Sequence, residues 1–224
     1  ASHGYSSRQL KLTFRGKHFS SDLICCFNPV HNELVFNSSS SIELLINFLF
    51  RNLHIYYVKW IHGYPSFVSE FARILSHHTS PQSAIFKSRI KGVLLGSEFP
   101  APLYRSIISE NLSANIISWF GNSEQTVLAQ EVAINQYHSF PLYSYVEAIP
   151  SRFCGPHRLI TTSYYNRAHP FIRYDTGDLV RPLFSSCGYL CFSVVEGRTG
   201  DFILDKSNSK VWLTSFVFGR HHPS

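Results

Sequence analysis

Between residues 56 and 120 the chain alternates short apolar runs with helical patterns, and this alternation constrains its fold more than any other feature. Tyr56–His62 is rich in aromatic and β-branched residues and reads as a strand. Gly63-Tyr64-Pro65 breaks it, and Pro65 suits the first turn of a helix in which Phe67, Val68, Phe71, Ile74 and Leu75 recur at helical spacing. A loop over His77–Gln82 leads to a second strand, Ile90–Leu95, which closes on Gly96-Ser97-Glu98. A helix over Pro102–Leu112 follows, and then a third strand, Asn115–Trp119, which ends at Phe120-Gly121. Strand, helix, strand, helix, strand predicts a parallel sheet with crossover helices. Ligands of such sheets sit beyond the carboxyl ends of the strands. Here those ends are Gly63-Tyr64, Ser97-Glu98 and the segment from Gly121 to Glu124.

The segments on either side differ. Leu10–Phe14 reads as a strand, and Phe27–Ser39 as mainly loop with a short strand near Leu34-Val35-Phe36. Ser40-x-x-Glu43 has the form of a capping box ahead of a helix over Ser41–Leu53, whose apolar residues nearly encircle it. After Glu124 the helical patterns stop. Val127–Ala133, Tyr143–Ile149, Leu159–Ser163, Leu179–Pro182 and Tyr189–Val195 are short extended runs between turn residues. Asp201–Asp205 and Lys210–Thr214 form a hairpin pattern. The expected architecture is α/β: a parallel βαβ layer followed by an antiparallel, barrel-like β subdomain.

Composition narrows the function. A chain of 224 residues with 15% aromatic content can bury a true core, and disorder is excluded. The formal charge of +6 suggests anionic partners, but the 20 Lys and Arg are scattered. The tightest group, Lys87, Arg89 and Lys91, alternates like the solvated face of a strand, so nucleic acid is not the expected partner. Five cysteines in a chain of this size read as reduced thiols of a cytoplasmic protein. The sequence has no apolar run of membrane-spanning length. The absence of any Met reads as a fragment of a longer chain.

Three small motifs carry candidate chemistry: Phe120-Gly121-Asn122-Ser123-Glu124, Tyr174-Asp175-Thr176-Gly177-Asp178 and Glu196-Gly197-Arg198. Asp178 could accept the hydroxyls of a ribose, and Ser123-Glu124 offers a hydroxyl and a carboxylate suited to Mg²⁺ and phosphate. Arg198 could reach ribose or phosphate, and Phe120 could stack on a base or wall an acyl pocket. Taken singly, each is equally an ordinary turn, a salt bridge or a core aromatic. Cys154, His157, Cys187 and Cys191 offer a loose match to a zinc set, without the regular spacing of known sites. No G-x-S-x-G nucleophile elbow is present.

Together these motifs resemble those of adenylate-forming enzymes: the aromatic-Gly-x-Ser/Thr-Glu segment at Phe120–Glu124, the RY-x-TGD segment at Arg173–Asp178, and the Gly-Arg pair at Gly197-Arg198. Within that superfamily the chain is most similar to the phenylacetate-CoA ligase branch and its CapK-like members, linked to capsular polysaccharide biosynthesis. Ile61-His62-Gly63-Tyr64-Pro65-Ser66 and the segment from Asn166 to Tyr174 carry that likeness. The resemblance implies that ATP and a small carboxylic acid are joined into an acyl-adenylate, with CoA a possible acceptor. It implies Glu124 as a Mg²⁺ ligand and Ser123 at the α-phosphate. Asp178 would bind the ribose with Arg198 beside it, and Gly121 would lie at the nucleotide. Ser97 and Glu98 would lie along the adenine, and Tyr64 and Phe120 near the acyl pocket. It also implies a division into residues 1–130, the α/β part of a large N-terminal domain; 131–196, a β-rich subdomain; and 197–224, a hinge and the start of a C-terminal domain. The phosphate loop and the lysine-bearing domain of the family are expected in flanking segments. Asn122 and Gln125 stand where CapK-like proteins tend to carry His and Arg. The alternative expectation is therefore a truncated or degenerate relative that binds nucleotide without turnover, or serves as a scaffold.

Overall fold

The structure is a computed structural model. It describes residues 4–19, 22–150, 155–183, 189–198, 202–204 and 210–212, with side chains up to Val195. By backbone contacts the chain divides into two compact units between Ile117 and Ser118.

The first unit opens with three strands, β1 (Lys11–Phe14), β2 (Cys25–Asn28) and β3 (Glu33–Phe36), and helix α1 (Ile42–Arg51). Next come β4 (Trp60–Gly63), α2 (Pro65–Ser76), α3 (Pro81–Arg89), β5 (Gly92–Leu95) and α4 (Pro102–Leu112). The strand order is β2-β3-β1-β4-β5. β1 runs parallel to β3 and to β4, and β4 runs parallel to β5, this last pairing being the one that the alternation between residues 56 and 120 predicts. Only β2 is antiparallel; its second half, Phe27 and Asn28, falls in the stretch whose composition predicts mainly loop.

The core of this unit lies on one face of the sheet. Leu12, Phe14, Leu34, Phe36, Ile61, Val93 and Leu95 come from strands, and Leu45, Ile46, Val68, Phe71, Phe86 and Ile108 from helices. Phe71 sits at its centre, with ring centroids 5.2 Å from Phe14 and 6.1 Å from Phe86. Each such side chain contributes roughly 1.5–3 kcal/mol by leaving water. Alternation along the strands puts Lys11, Thr13, Glu33 and His62 on the opposite face. There Glu33 is buried but well satisfied. It accepts from Thr13 Oγ1 at 3.0 Å and from Asn28 Nδ2 at 3.3 Å, and pairs with Lys11 Nζ at 3.4 Å. Burial alone would raise its carboxyl, but those donors hold it below the usual range.

Two local expectations are corrected. The N-cap of α1 is Ser41, whose Oγ accepts from Leu44 N at 3.3 Å, so Ser40 and Glu43 form no capping box. The helix is also one-sided, with Ile42, Leu45, Ile46 and Leu49 buried and Leu44 exposed. Lys87 and Arg89 lie in the last turn of α3, not on a strand. Ser80 caps that helix and Pro81 opens it, a start signal inside what reads as loop. Both cations complement the helix C-terminus, and Arg89 also donates to Leu53 O at 2.7 Å and stacks on Tyr57.

The second unit is all β after strand β6 (Asn115–Gly121), whose last residues enter it. The strands are β7 (Leu128–Ala133), β8 (Gln136–Ser139), β9 (Ser144–Pro150), β10 (His157–Ser163), β11 (Tyr174–Leu183) and β12 (Cys191–Arg198). A separate hairpin joins β13 (Phe202–Leu204) to β14 (Lys210–Trp212), as its sequence predicts. All pairings in this unit are antiparallel, in the order β6-β7-β8-β12-β11-β10-β9. The sheet is open, which corrects the barrel-like expectation: among the described residues β9 pairs only with β10. Its short strands bury one cluster around Tyr137, Phe192 and Phe120 rather than wrapping a closed interior.

Candidate functional site

In the second unit the β6–β7 connection is a tight turn over Asn122–Gln125, with Gln125 N donating to Asn122 O at 3.2 Å and Gln125 at φ +56°. Asn122 locks it from within: its Oδ1 accepts from Thr126 N at 3.0 Å, and its Nδ2 donates to Thr126 Oγ1 at 2.7 Å. Thr126 Oγ1 also lies 2.7 Å from Thr161 Oγ1 of β10, and both threonines are fully buried. Ser123 is left exposed at the tip. Glu124 turns inward, and Tyr174 OH donates to its Oε1 at 3.0 Å. Glu124 Oε2 is buried and has no hydrogen-bond partner among the described residues. A buried carboxylate oxygen left unpaired is costly unless something else meets it, and a cation would.

The second motif is not a turn at a strand end. Thr176-Gly177-Asp178 lies inside β11, where the register slips against both neighbours: between Arg158 and Ile160 of β10, and between Asp178 and Val180 opposite β12. This is a β-bulge, and its residue types follow from it. Gly177 takes φ +76°, the left-handed region open to glycine. Thr176 Oγ1 donates to Leu159 O and accepts from Asp178 N, each at 3.1 Å. Gly177 N donates to Asp175 Oδ1 at 3.1 Å, and Asp175 also pairs with Arg158. Partial burial would raise the Asp175 carboxyl, but Arg158 and the Gly177 N–H hold it below the usual range. Asp178 is buried, and its backbone partner across β12 is Arg198.

Phe120 packs among aromatics, 5.4 Å from Phe192 and 6.0 Å from Tyr137 between centroids. A Cβ on Gly121 would meet the Trp119 ring at 3.0 Å and Val127 O at 3.2 Å.

In the first unit Tyr64 is the N-cap residue of α2, and its side chain makes no capping bond. With Pro65 at the first position, the next backbone donor is Ser66 N, and it donates to Glu98 Oε2 at 3.0 Å. Glu98 therefore ties the loop after β5 to the start of α2. Burial raises its carboxyl above the usual range, opposed by the Ser66 N–H. Ser97 beside it holds φ +65°. This cap escaped the sequence reading, although an uncapped Tyr-Pro helix start implies an acceptor from elsewhere in the chain.

Glu124 is thus brought to β11 through Tyr174, and Asp178 to Arg198 through strand pairing, while Tyr64, Ser97 and Glu98 belong to the first unit. Tyr174 and Asn122 stand inside the sequence motifs with no site role assigned to them there, and Thr126 and Thr161 lie outside those motifs. Of the zinc candidates, Cys154 and Cys187 lie outside the described residues. Among the described residues no group of three or more His, Cys, Asp or Glu could hold a metal. No described helix is long and apolar enough to cross a membrane. Burial, and secondarily Cys26 beside it, pushes the Cys25 thiol up to about 12.

No protein-family profile and no curated protein sequence matches the chain. Solved structures do match its fold. 2-Hydroxyisobutyryl-CoA ligase, in an open conformation with 2-HIB-AMP and CoA, aligns with TM-score 0.57 at 14% identity over 92% of this chain and 52% of its own. A malonyl-CoA ligase product complex with methylmalonyl-CoA and AMP aligns with TM-score 0.54 at 14% identity over 92% and 47%. Mycobacterium smegmatis MbtA aligns with TM-score 0.54 at 13% identity over 88% and 40%. The mixed α/β fold is shared with these structures, and the chain spans 52%, 47% and 40% of their respective lengths.

Proposed function

We propose that the chain is part of an adenylate-forming enzyme of the phenylacetate-CoA ligase and CapK-like branch, and that it carries the nucleotide-binding side of the large N-terminal domain. The observation that carries this reading is the hydrogen bond between Glu124 of the first motif and Tyr174 of the second, across 50 residues, in a fold shared with ligases crystallised with acyl-adenylate, AMP and CoA. In the reaction a carboxylate oxygen of the acid attacks the α-phosphorus of ATP, the α–β bridging P–O bond breaks and pyrophosphate leaves. In the thioester step that follows, the CoA thiol attacks the acyl carbonyl, the bond from the acyl carbon to the phosphate oxygen breaks and AMP leaves.

Asp178, rigid on its bulge, accepts the ribose hydroxyls, and Arg198 lies beside it. The Gly121 backbone lies at the nucleotide. Ser123 is exposed at the turn tip and donates to the α-phosphate. Ser97 and Glu98 lie along the adenine. Tyr64 and Phe120 are, by the resemblance, the residues assigned to the acyl acid. The residues present fit Mg²⁺: Glu124 offers one buried oxygen with no hydrogen-bond partner among the described residues, and this ion commonly takes one or two carboxylates together with phosphate oxygens. When bound, Mg²⁺ supplies positive charge where negative charge builds on the α-phosphate. The residues 1–130, 131–196 and 197–224 form, in this reading, the α/β part, the β-rich part and the hinge of a cytoplasmic ligase, completed by flanking segments and possessing a role in capsular polysaccharide biosynthesis.

Calorimetric titration of the 224-residue chain with AMP and with ATP plus Mg²⁺ tests this. Wild type should bind both, and Asp178→Ala should weaken both at least tenfold, in line with loss of a charged hydrogen-bond acceptor. Equal binding by Asp178→Ala and wild type would overturn the assignment. Binding by the wild type, joined to its flanking segments, without ATP–pyrophosphate exchange would favour the non-catalytic reading suggested by the short span and by Asn122 and Gln125.

A further inference from the structure

We infer that Tyr174 is a positioning residue for the proposed metal site: its phenol fixes one oxygen of Glu124 so that the other faces the ligand. This rests on the reading above and extends it to a residue that no comparison or motif role assigns. Three observations carry it. Tyr174 OH donates to Glu124 Oε1 at 3.0 Å, and Oε2 of the same carboxylate is buried without a hydrogen-bond partner among the described residues. The phenol is itself held, because Phe171 packs edge-on against its ring at 5.0 Å between centroids. The turn that carries Glu124 is locked independently by Asn122, Thr126 and Thr161, so the backbone at Glu124 is fixed without help from Tyr174.

The division of labour follows. The Asn122–Thr126–Thr161 contacts set where the carboxylate starts, and the phenol sets which way it points. A flexible glutamate with two equivalent oxygens would otherwise rotate or swing to water, and an ion would have to order it on binding. Tyr174 removes that freedom beforehand. Burial alternates along β11, with Thr176 and Asp178 buried and Asp175 half-exposed, so one strand delivers both the phenol and the Asp178 carboxylate.

The test is calorimetric titration of AMP and of ATP into the 224-residue chain, with and without Mg²⁺, for wild type, Tyr174→Phe and Ser41→Ala. Loss of an outer hydrogen-bond partner of a metal ligand typically costs about 10–100-fold in metal affinity. Tyr174→Phe should therefore lose about tenfold or more of the Mg²⁺-dependent gain in ATP affinity, while its metal-free AMP affinity stays within about twofold of wild type. Ser41→Ala, which removes the N-cap of α1 in the first unit, should lower the melting temperature and keep the Mg²⁺-dependent gain. If Tyr174→Phe keeps that gain, or if the two variants lose metal-dependent and metal-free affinity alike, the phenol has only a structural role and the inference fails while the function stands. If wild type binds AMP but shows no Mg²⁺-dependent gain with ATP, the metal site and the inference fall together. Failure of wild type to bind either nucleotide overturns the functional reading as well.

Discussion

Gly63→Ala separates a packing requirement from backbone freedom at the point where the chain leaves β4 for the Tyr64–Ser66 helix start. Gly63 does not occupy the left-handed region, so by backbone entropy alone an alanine there would stabilise the fold by about 0.4–1 kcal/mol. The space is not there. A Cβ at this position would lie 2.7 Å from Phe14 Cβ, 2.8 Å from Phe14 O and 3.3 Å from Val68 Cγ2. Phe14 cannot withdraw: it pairs with Gly63 across the β1–β4 ladder, and its ring is packed among Phe36, Phe67 and Phe71. Overpacking of this kind costs about 1–3 kcal/mol, so the net effect is a loss of about 1–2 kcal/mol. Urea unfolding followed by circular dichroism should show a lower midpoint with an unchanged slope. The melting temperature should fall by about 2–8 °C for a chain of this size. A midpoint equal to or above wild type would refute the argument that glycine is required here by close approach of two strands.

Two further predictions concern the first unit. Ser41→Ala should cost about 1 kcal/mol, the usual value of an N-cap, whereas Ser40→Ala should change stability by less than about 0.5 kcal/mol, and equal effects would restore the capping box. His62 is pushed down from 6.5 to about 4 by burial and by Arg15 and Lys11, with Glu33 opposing. The folded chain therefore binds fewer protons than the unfolded one between those two values. The stability associated with neutral His62 is complete above 6.5 and is lost as pH falls toward about 4, by up to about 3 kcal/mol. His62→Gln should flatten this part of the profile, and identical pH slopes for the variant and wild type would rule it out.

Much of the fold is legible in local sequence. Pro65 and Pro102 open the α2 and α4 helices; the apolar spacing after Pro65 sets the buried face of α2, whereas on α4 Ile108 and Leu112 are buried and Leu103, expected on the same face as Ile107 and Ile108, is exposed. The crossover pattern dictates the parallel pairing of β4 and β5, because a chain that returns through a helix must re-enter the sheet in the same direction. β2 and α3 were hidden for different reasons. Cys25–Asn28 is too short to show a period, and Ser80-Pro81 starts a helix whose weak amphipathicity gives no stripe to detect.

The candidate site divides along the same line. Sequence alone determined which residues are candidates for its chemistry: a carboxylate after a glycine turn, and a Thr-Gly-Asp segment whose types suit a constrained backbone. Only the tertiary structure decided that Thr176-Gly177-Asp178 is a bulge within a strand, that Glu98 caps a helix begun 32 residues earlier, and that Tyr174 holds Glu124. Residue type and short-range spacing are properties of neighbours along the chain. A hydrogen bond spanning 50 residues exists only once β11 is laid beside β10 and the turn after β6 is pinned to it, so no local pattern encodes it.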